Sequence, residues 1–195
     1  MATSPLVGVL ALQGDVVEHV AALERAGATV TTVKTPDELS RVGGLVIPGG
    51  ESTTVMKLLD RFGLARPIVE RARDGMPVWG TCMGMIVTAH DVAGLQQATL
   101  DLIDITVRRN AFGRQNESAE VELAIPVLGS KPFPAVFIRA PWVERAGAEV
   151  TVLGEDDGRI VAVRQGPLLA TAFHPELTPD RRIHELFVKM VKGLS

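Results

Sequence analysis

Short apolar runs alternate with amphipathic stretches along the first half of the chain. Residues 6–12, 28–33 and 45–48 are apolar or rich in β-branched side chains, and each run precedes a stretch with helical periodicity. This alternation is typical of a parallel sheet covered by helices, because such strands are buried on both faces. The second half instead predicts strands separated by turns, with Asp157-Gly158 as a hairpin signal. We therefore expect an α/β fold whose sheet is parallel in its first half and more antiparallel in its second.

The length and composition are those of an ordinary globular protein. The chain has 195 residues and a net charge of −3, from 20 Lys and Arg against 23 Asp and Glu. No linker, repeat or shift in composition divides the sequence, so we expect a single domain over residues 1–195. The absence of a block of Lys and Arg argues against nucleic-acid binding, and no apolar run is long enough to cross a membrane.

Cys82 is the only cysteine of the chain. A single cysteine excludes an internal disulfide and every metal site that needs two or more thiolates. The histidines and acids also lack a metal-ligand spacing, so we expect no metal. A lone cysteine favours a reducing compartment, and residues 1–5 carry no signal-peptide pattern. These features predict a cytoplasmic protein.

The same cysteine lies at the junction between a predicted strand and a predicted helix. The segment Gly80-Thr81-Cys82-Met83-Gly84 has the G-x-C-x-G pattern of a nucleophile elbow. Its glycines permit a sharp turn, the N-terminus of the helix favours a thiolate, and the N–H of Met83 faces a developing oxyanion. A cysteine that is buried for structural reasons is the alternative, and the elbow alone does not separate the two.

A thiolate nucleophile requires a base, and the base requires an acceptor that orients it. His174 follows an apolar strand, and Glu176 points the same way from an extended segment because it lies two residues later. We therefore expect Glu176 to hold the His174 ring beside the thiol. We expect His19 to be solvated on the exposed side of the first helix, His90 to face away near the end of the helix after the elbow, and His184 to lie on a charged face of the last helix.

The segment 48–52, with the sequence PGGES, also follows a predicted strand and precedes a helix. Paired glycines let the backbone turn its amide groups toward a ligand, so this segment is a candidate for a second oxyanion donor. A plain turn between a strand and a helix is the alternative. The segment is not a P-loop, because no Gly-Lys-Ser/Thr sequence follows it.

Taken together, these motifs resemble class I, triad-type glutamine amidotransferases. The resemblance depends on GTCMGM at 80–85, PGGES at 48–52 and HPE at 174–176. Further segments are similar to the glutaminase subunits of pyridoxal 5′-phosphate synthases, and they keep that family's order over nearly the whole chain. They are GVLALQGD at 8–15, EH at 18–19, GGESTT at 49–54, RNAFGRQ at 109–115, FIRAP at 137–141 and FHPELT at 173–178. The resemblance implies a three-layer, flavodoxin-like α/β fold with a mixed central sheet.

The resemblance also implies a reaction. Cys82 would attack the side-chain amide carbon of L-glutamine, and His174, supported by Glu176, would pass a proton to the departing ammonia. Water would then hydrolyse the glutamyl thioester. The backbone amides of Gly50 and Met83 would hold the oxyanion. The residues that match the family's glutamine-binding positions are Gly50, Glu51, Ser52, Arg109, Ile138 and Arg139.

In this family the ammonia passes to a separate, barrel-shaped synthase subunit, which makes pyridoxal 5′-phosphate from a pentose phosphate and a triose phosphate. The resemblance therefore implies a hetero-oligomeric complex, and it implies no cofactor on this chain. Gln13 matches a position that helps to complete the oxyanion hole at the interface. Met83, where the family usually has Ala, and Ala119, where it commonly has an aromatic residue, depart from the pattern. We expect both departures to affect local packing and no chemical group.

Three alternatives stay open at this point. A triad glutaminase could serve another synthase, such as the one that makes imidazole glycerol phosphate, but the RNAFGRQ and FIRAP segments argue against it. A non-catalytic regulatory subunit could keep the fold, but the intact Cys82, His174 and Glu176 argue against it. A cysteine hydrolase or chaperone with a related elbow would not need the His-Pro-Glu triplet.

Overall fold

The computed structural model describes residues 6–109 and 118–194. Its strands are β1 (Leu6–Leu10), β2 (Thr29–Val33), β3 (Gly44–Ile47), β4 (Val78–Thr81), β5 (Ala89–Val92), β6 (Ile103–Arg108), β7 (Ser118–Leu123), β8 (Phe133–Ile138), β9 (Trp142–Ala146), β10 (Thr151–Asp156), β11 (Arg159–Gln165) and β12 (Leu168–Thr171). Its helices are α1 (Val16–Arg25), α2 (Pro36–Ser40), α3 (Ser52–Arg61), α4 (Ala65–Arg73), α5 (Met83–Thr88) and α6 (Arg182–Val191). Short 3₁₀ turns span Pro126–Leu128 and Pro175–Leu177.

A large mixed sheet forms the centre of the fold, in the order β2-β1-β3-β4-β12-β11-β9-β6-β5, with β10 paired to β11. The neighbours from β2 to β12 are parallel. Beyond them, β11 is antiparallel to β12, β9 and β10, and β6 is antiparallel to β9 and parallel to β5. The parallel part, β2-β1-β3-β4-β12, has the 2-1-3-4-5 order of flavodoxin-like folds. The predicted flavodoxin-like α/β fold with a mixed sheet is confirmed.

Helices cover both faces of this sheet and complete the three layers. α1 contacts α6, whereas α4 contacts α2 and α3, and α3 also contacts α5. The β1–β2 and β3–β4 connections run in opposite directions along the sheet. Because such crossovers are right-handed, α1 lies on one face and the helices between β3 and β4, α3 and α4, lie on the other. Every residue of β3, β4 and β12 is buried in the middle of the sheet. No helix in the described ranges is long and apolar enough to span a membrane.

The second half of the chain is more antiparallel, as the sequence predicts. β10 and β11 form a hairpin through Asp157-Gly158. Both turn residues have positive φ angles, 47° and 73°, which a two-residue type I′ turn requires. β7 and β8 form a separate two-stranded antiparallel sheet. The predicted hairpin is therefore confirmed.

Two strands were not predicted from the sequence. β5 has the exposed residues His90 and Asp91 at its centre, and β9 has Glu144 and Arg145, so neither presents an apolar run. α5 ends at Thr88, where the chain turns directly into β5. The expectation that His90 lies near the end of this helix is wrong, although its side chain is exposed.

Candidate active site

The predicted site residues follow strands that are neighbours in the sheet. Gln13 comes after β1, Gly50 after β3, Cys82 after β4 and His174 after β12. Parallel strands end at the same edge of a sheet, and doubly wound folds bind their ligands outside that edge. The fold therefore brings together residues that are far apart in the sequence.

The turn between β4 and α5 holds the thiol in a strained conformation. Cys82 has φ 49° and ψ −109°, a backbone conformation that residues other than glycine rarely adopt. Its N–H donates to the carbonyl of Thr171 in β12 at 2.8 Å. A Cβ on Gly80 would collide with the carbonyl of Gly84, and a Cβ on Gly84 would collide with the carbonyl of Ile47. These close backbone contacts explain why glycines flank the cysteine.

The His174 ring contacts both the Cys82 thiol and the Glu176 carboxylate. Its Nδ1 lies 2.7 Å from Glu176 Oε1, and the ring also hydrogen-bonds with Cys82. Burial lowers the pKa of His174, but the hydrogen bonds to Cys82 and Glu176 outweigh burial and raise the pKa to about 10. At neutral pH the ring is therefore an imidazolium.

Glu176 supports this ring from a buried position. It lies in the 3₁₀ turn Pro175–Leu177 and is 5% exposed. Burial raises the pKa of Glu176, and the hydrogen bond to His174 opposes that effect. Its second carboxylate oxygen, Oε2, has no aligned hydrogen bond among the described residues.

Asp15 contacts the same ring from the start of α1. Its Oδ2 lies 3.3 Å from His174 Nδ1, and its side chain makes no capping hydrogen bond to the helix. Asp15, His174 and Glu176 offer ligand atoms that all lie within 4.8 Å of one another. A metal ion would have to displace the proton that the raised pKa of His174 keeps on the ring, since imidazole ligates metals in its deprotonated form.

A cavity of about 390 Å³ opens at this edge of the sheet. Such a volume falls within the range of small-molecule sites. Every predicted site residue except Glu176 lines it. The lining residues are Gln13, Asp15, Gly50, Glu51, Ser52, Cys82, Met83, Ile86, Arg109, Ile138, Arg139, Pro141 and His174.

The loop after β3 is fixed by side-chain contacts on both sides. Gln13 Oε1 accepts a hydrogen bond from the N–H of Glu51 at 2.7 Å, and a Cβ on Gly50 would collide with this same oxygen. The Glu51 carboxylate caps α3 by accepting from the N–H groups of Thr53 and Thr54, at 3.1 and 2.7 Å. The hydrogen bond from the Thr54 hydroxyl, together with these backbone bonds, lowers the pKa of Glu51 to about 2.

Arg109 is held beside the cavity by a residue that the sequence analysis missed. Gln97 Oε1 accepts from Arg109 Nη1 at 2.7 Å, and Gln97 Nε2 donates to Ser52 Oγ at 2.9 Å. Arg109 Nη2 also lies 3.5 Å from Glu51 Oε1. Gln97 lies in an irregular segment between β5 and β6 and belongs to no motif, so no sequence signal marks it.

The end of β8 forms another wall of the cavity. The Ile138 carbonyl lies 3.7 Å from Cys82 Sγ, and Arg139 follows with φ 45°. Cys82 and Arg139 are thus two non-glycine residues with positive φ that line the same cavity. Backbone strain of this kind concentrates at functional sites.

The expectations for two histidines are wrong. His19 is fully buried, with Nε2 3.0 Å from Thr81 Oγ1 and 3.2 Å from Glu176 Oε2. His184 is 1% exposed and packs edge-on against Trp79, with the ring centres 5.0 Å apart. Burial lowers the pKa of His19 well below its usual value and that of His184 to about 3. Both side chains face the sheet, from α1 and from α6. Their burial was not predicted, because each histidine has charged neighbours in the sequence.

Part of the sequence pattern lies outside the described residues. Residues 110–117 include most of the RNAFGRQ segment, and only Arg109 of it is described. Of the two departures from the family pattern, Met83 is buried at the start of α5, and Ala119 lies in β7 opposite Phe137 of β8.

Comparisons with known proteins show which family the chain is similar to. The model of the SNO glutamine amidotransferase family matches residues 9–193. The chain is 57% identical over 192 residues to pyridoxal 5′-phosphate synthase subunit PdxT of Streptomyces avermitilis, covering 97% of this chain and 96% of that protein. It is 58% identical over 192 residues to the subunit of the same name from Mycobacteroides abscessus, covering 97% and 99%. A crystal structure of a glutamine amidotransferase superposes with a TM-score of 0.90 at 43% identity, covering 95% of this chain and 98% of that chain.

Proposed function

The chain belongs to the SNO glutamine amidotransferase family, and we propose that it hydrolyses the side-chain amide of L-glutamine to L-glutamate and ammonia. Its relatives in Streptomyces avermitilis and Mycobacteroides abscessus are named as subunits of pyridoxal 5′-phosphate synthase. We therefore assign the ammonia to the synthesis of pyridoxal 5′-phosphate, a form of vitamin B6. The observation that carries this function is that Cys82 and His174 line one cavity while His174 Nδ1 lies 2.7 Å from Glu176 Oε1.

The first step in this proposal is attack by the Cys82 thiolate on the side-chain amide carbon. The electron pair of the carbonyl bond moves to oxygen, and the N–H groups of Gly50 and Met83 bind the resulting oxyanion. Both residues line the cavity, and Met83 begins α5 directly after the nucleophile. Only the backbone of Met83 is needed for this role.

Proton transfer by His174 completes the cycle. The imidazolium donates a proton to the amide nitrogen, the carbon–nitrogen bond breaks, and ammonia leaves a glutamyl thioester on Cys82. The neutral ring then takes a proton from water, which attacks the thioester and releases glutamate and the thiolate. Glu176, 2.7 Å from the ring, stabilises the imidazolium that forms again in this second half.

The charges around the cavity suit the amino-acid end of glutamine. Arg109 and Arg139 supply positive charge for its α-carboxylate, because guanidinium groups bind carboxylates well. Glu51 stays ionised at neutral pH, since its pKa is about 2, and it attracts the α-ammonium group. The full set that we propose for glutamine binding is Gly50, Glu51, Ser52, Arg109, Ile138 and Arg139.

The proposed partner is a barrel-shaped synthase subunit that takes up the ammonia. Ammonia released into water near neutral pH becomes mostly unreactive ammonium, and transfer within a complex avoids that loss. Gln13, which holds the loop after β3, is the proposed contact between this interface and the oxyanion hole. We further propose that residues 1–195 act as one glutaminase domain in the cytoplasm, where the thiol of Cys82 stays reduced.

The test is glutamine hydrolysis by purified chains together with the synthase subunit. We expect Cys82→Ala to lose activity by about a thousandfold or more, because no other nucleophile replaces the thiol. Met83→Ala is the matched control, which we expect to remain active because it keeps the backbone N–H. Glutamate and ammonia are measured separately, and thermal unfolding verifies the fold. Continued ammonia release by a folded Cys82→Ala chain would refute the proposal.

A further inference from the structure

The two oxygens of the Glu176 carboxylate have different surroundings. Oε1 lies 2.7 Å from Nδ1 of His174. Oε2 is buried, has no aligned hydrogen bond among the described residues, and lies 3.2 Å from Nε2 of His19. A buried carboxylate requires donors, because burial without them disfavours the ionised form. His19 is thus the second ring in contact with this carboxylate.

The contacts of the His19 ring indicate which of its nitrogens carries the proton. Nε2 lies 3.0 Å from Thr81 Oγ1 and 3.2 Å from Glu176 Oε2, whereas Nδ1 is buried without a partner in the described parts of the chain. A proton on Nδ1 would leave a buried donor unpaired and would turn the lone pair of Nε2 toward a carboxylate oxygen. A proton on Nε2 leaves only an acceptor unpaired and shares one N–H between two oxygens.

We propose that His19 is a positioning residue that, as a neutral Nε2–H donor, keeps Glu176 ionised and directed at His174. This inference deepens the proposed glutaminase function and depends on that function for its catalytic consequence. His19 is not among the residues that line the cavity, and it reaches His174 through the Glu176 carboxylate. An ionised Glu176 in turn stabilises the His174 imidazolium beside Cys82.

The neutral form of His19 follows from its environment. The ring is fully buried between α1 and β4, with the Trp79 ring edge-on at 5.8 Å and the His184 ring at 5.7 Å. Burial, together with the nearby charges of His184 and His174, lowers its pKa well below the usual value. Several titratable and charged groups surround the carboxylate and this ring. They are Asp15 directly before α1, His19 and Arg25 in α1, Cys82 after β4, His174 directly before the 3₁₀ turn, and His184 in α6.

The pH dependence of Cys82 alkylation tests this role without glutamine turnover. Cys82 is the only cysteine, so iodoacetamide reports on this thiol alone. His19→Leu removes the donor, whereas the amide nitrogen of His19→Gln reaches the position of Nε2. His184→Leu is the matched control, because it removes a buried histidine of the same cluster, and neither ring nitrogen of His184 has a hydrogen-bond partner among the described residues.

We expect His19→Leu to move the acidic limb of the alkylation profile upward by about one pH unit, since the N–H group 3.2 Å from the buried carboxylate is lost. His19→Gln should restore most of the shift, and His184→Leu should leave the limb in place. An unchanged limb in a folded His19→Leu chain would overturn the inference, and so would an equal shift in His184→Leu, which would indicate a general packing effect.

A measurement on the unaltered chain covers the case in which His19→Leu does not fold. The ¹⁵N shifts of the His19 ring distinguish the two neutral tautomers and the imidazolium. We expect the neutral Nε2–H form throughout pH 6 to 8, and the Nδ1–H form or an imidazolium would contradict the proposal. Neither readout requires glutaminase activity, so a failure here is distinguishable from a failure of the proposed function, which the Cys82→Ala assay detects.

Discussion

His174 has a pKa of about 10, although burial alone would lower it. The difference comes from two contacts that a solvated histidine lacks, the thiol of Cys82 and the carboxylate of Glu176. Because the folded pKa exceeds the ordinary value of 6.5, the ring contributes stability that is complete below about pH 6.5 and is lost as pH rises toward 10. The imidazolium thus persists at neutral pH.

The two hydrogen bonds by which Gln97 connects Arg109 with Ser52 give a second prediction about a single residue. Gln97→Met removes the acceptor of Arg109 Nη1 and the donor to Ser52 Oγ while keeping a similar volume. We expect the KM for glutamine to rise about tenfold with little change in kcat, since a charged hydrogen bond that positions Arg109 is lost and the triad is untouched. Steady-state kinetics provide the measurement. A fall in kcat at unchanged KM would indicate a different role for Gln97.

The sequence identifies the site residues that lie in motifs, but not the residues whose side chains keep those site residues in position. Cys82, Gly50 and His174 follow buried strands in recognisable segments, so their meeting at one edge follows from a parallel sheet. Gln97 and His19 contact the site residues Arg109 and Glu176 only because separate segments of the chain pack together. Periodicity and charge pattern do not encode such contacts, and for His19 the adjacent Glu18 pointed to the wrong face.

At the scale of elements, the helical faces against the sheet contain more polar groups than the sequence suggests. α6 buries His184 against Trp79, and neither ring nitrogen of His184 has a hydrogen-bond partner in the described residues. The buried strands and the longer helices were predictable from apolar runs and helical periodicity. β5 was not, because a strand at the edge of a sheet tolerates charged side chains that interrupt the pattern. β9 lies between β11 and β6, and it was missed because its exposed residues Glu144 and Arg145 interrupt the apolar pattern.

His184 makes the packing of α6 sensitive to acid. Burial lowers its pKa to about 3, so the unfolded chain binds more protons between pH 6.5 and 3, and stability falls as the pH falls through that window. At pH 5 this loss amounts to about 2 kcal/mol. We expect His184→Leu to reduce the loss of unfolding free energy between pH 7 and pH 5 by about that amount.

Urea denaturation at the two pH values measures the difference, with His90→Gln as the control. His90 is exposed and its hydrogen bond to Asp101 raises its pKa, so the sign of its linkage is opposite and its removal should not reduce the loss. The same acid sensitivity in His184→Leu as in the unaltered chain would contradict the assignment of a buried neutral ring.

At the scale of the whole molecule, the parallel strands of the mixed sheet position the proposed catalytic residues, and the antiparallel part of the chain adds a wall of the cavity. The carboxyl ends of β1, β3, β4 and β12 present the nucleophile, the base and the loop of the proposed oxyanion hole to one cavity. The antiparallel part adds the wall that contains Ile138 and Arg139, since β8 ends at Ile138 beside the Cys82 thiol. A cavity open at this edge allows a second protein to cover it, which is the arrangement that ammonia transfer needs.

The transfer of nitrogen within the complex tests the central claim most directly. The chain and the synthase subunit are supplied with L-glutamine carrying ¹⁵N in its side-chain amide, the pentose and triose phosphates, and an excess of unlabelled ammonium. We predict pyridoxal 5′-phosphate with ¹⁵N in its ring and an equivalent amount of glutamate, with no ¹⁵N incorporated when the chain carries Cys82→Ala. A product that contains only unlabelled nitrogen in the complex with the unaltered chain would contradict the account.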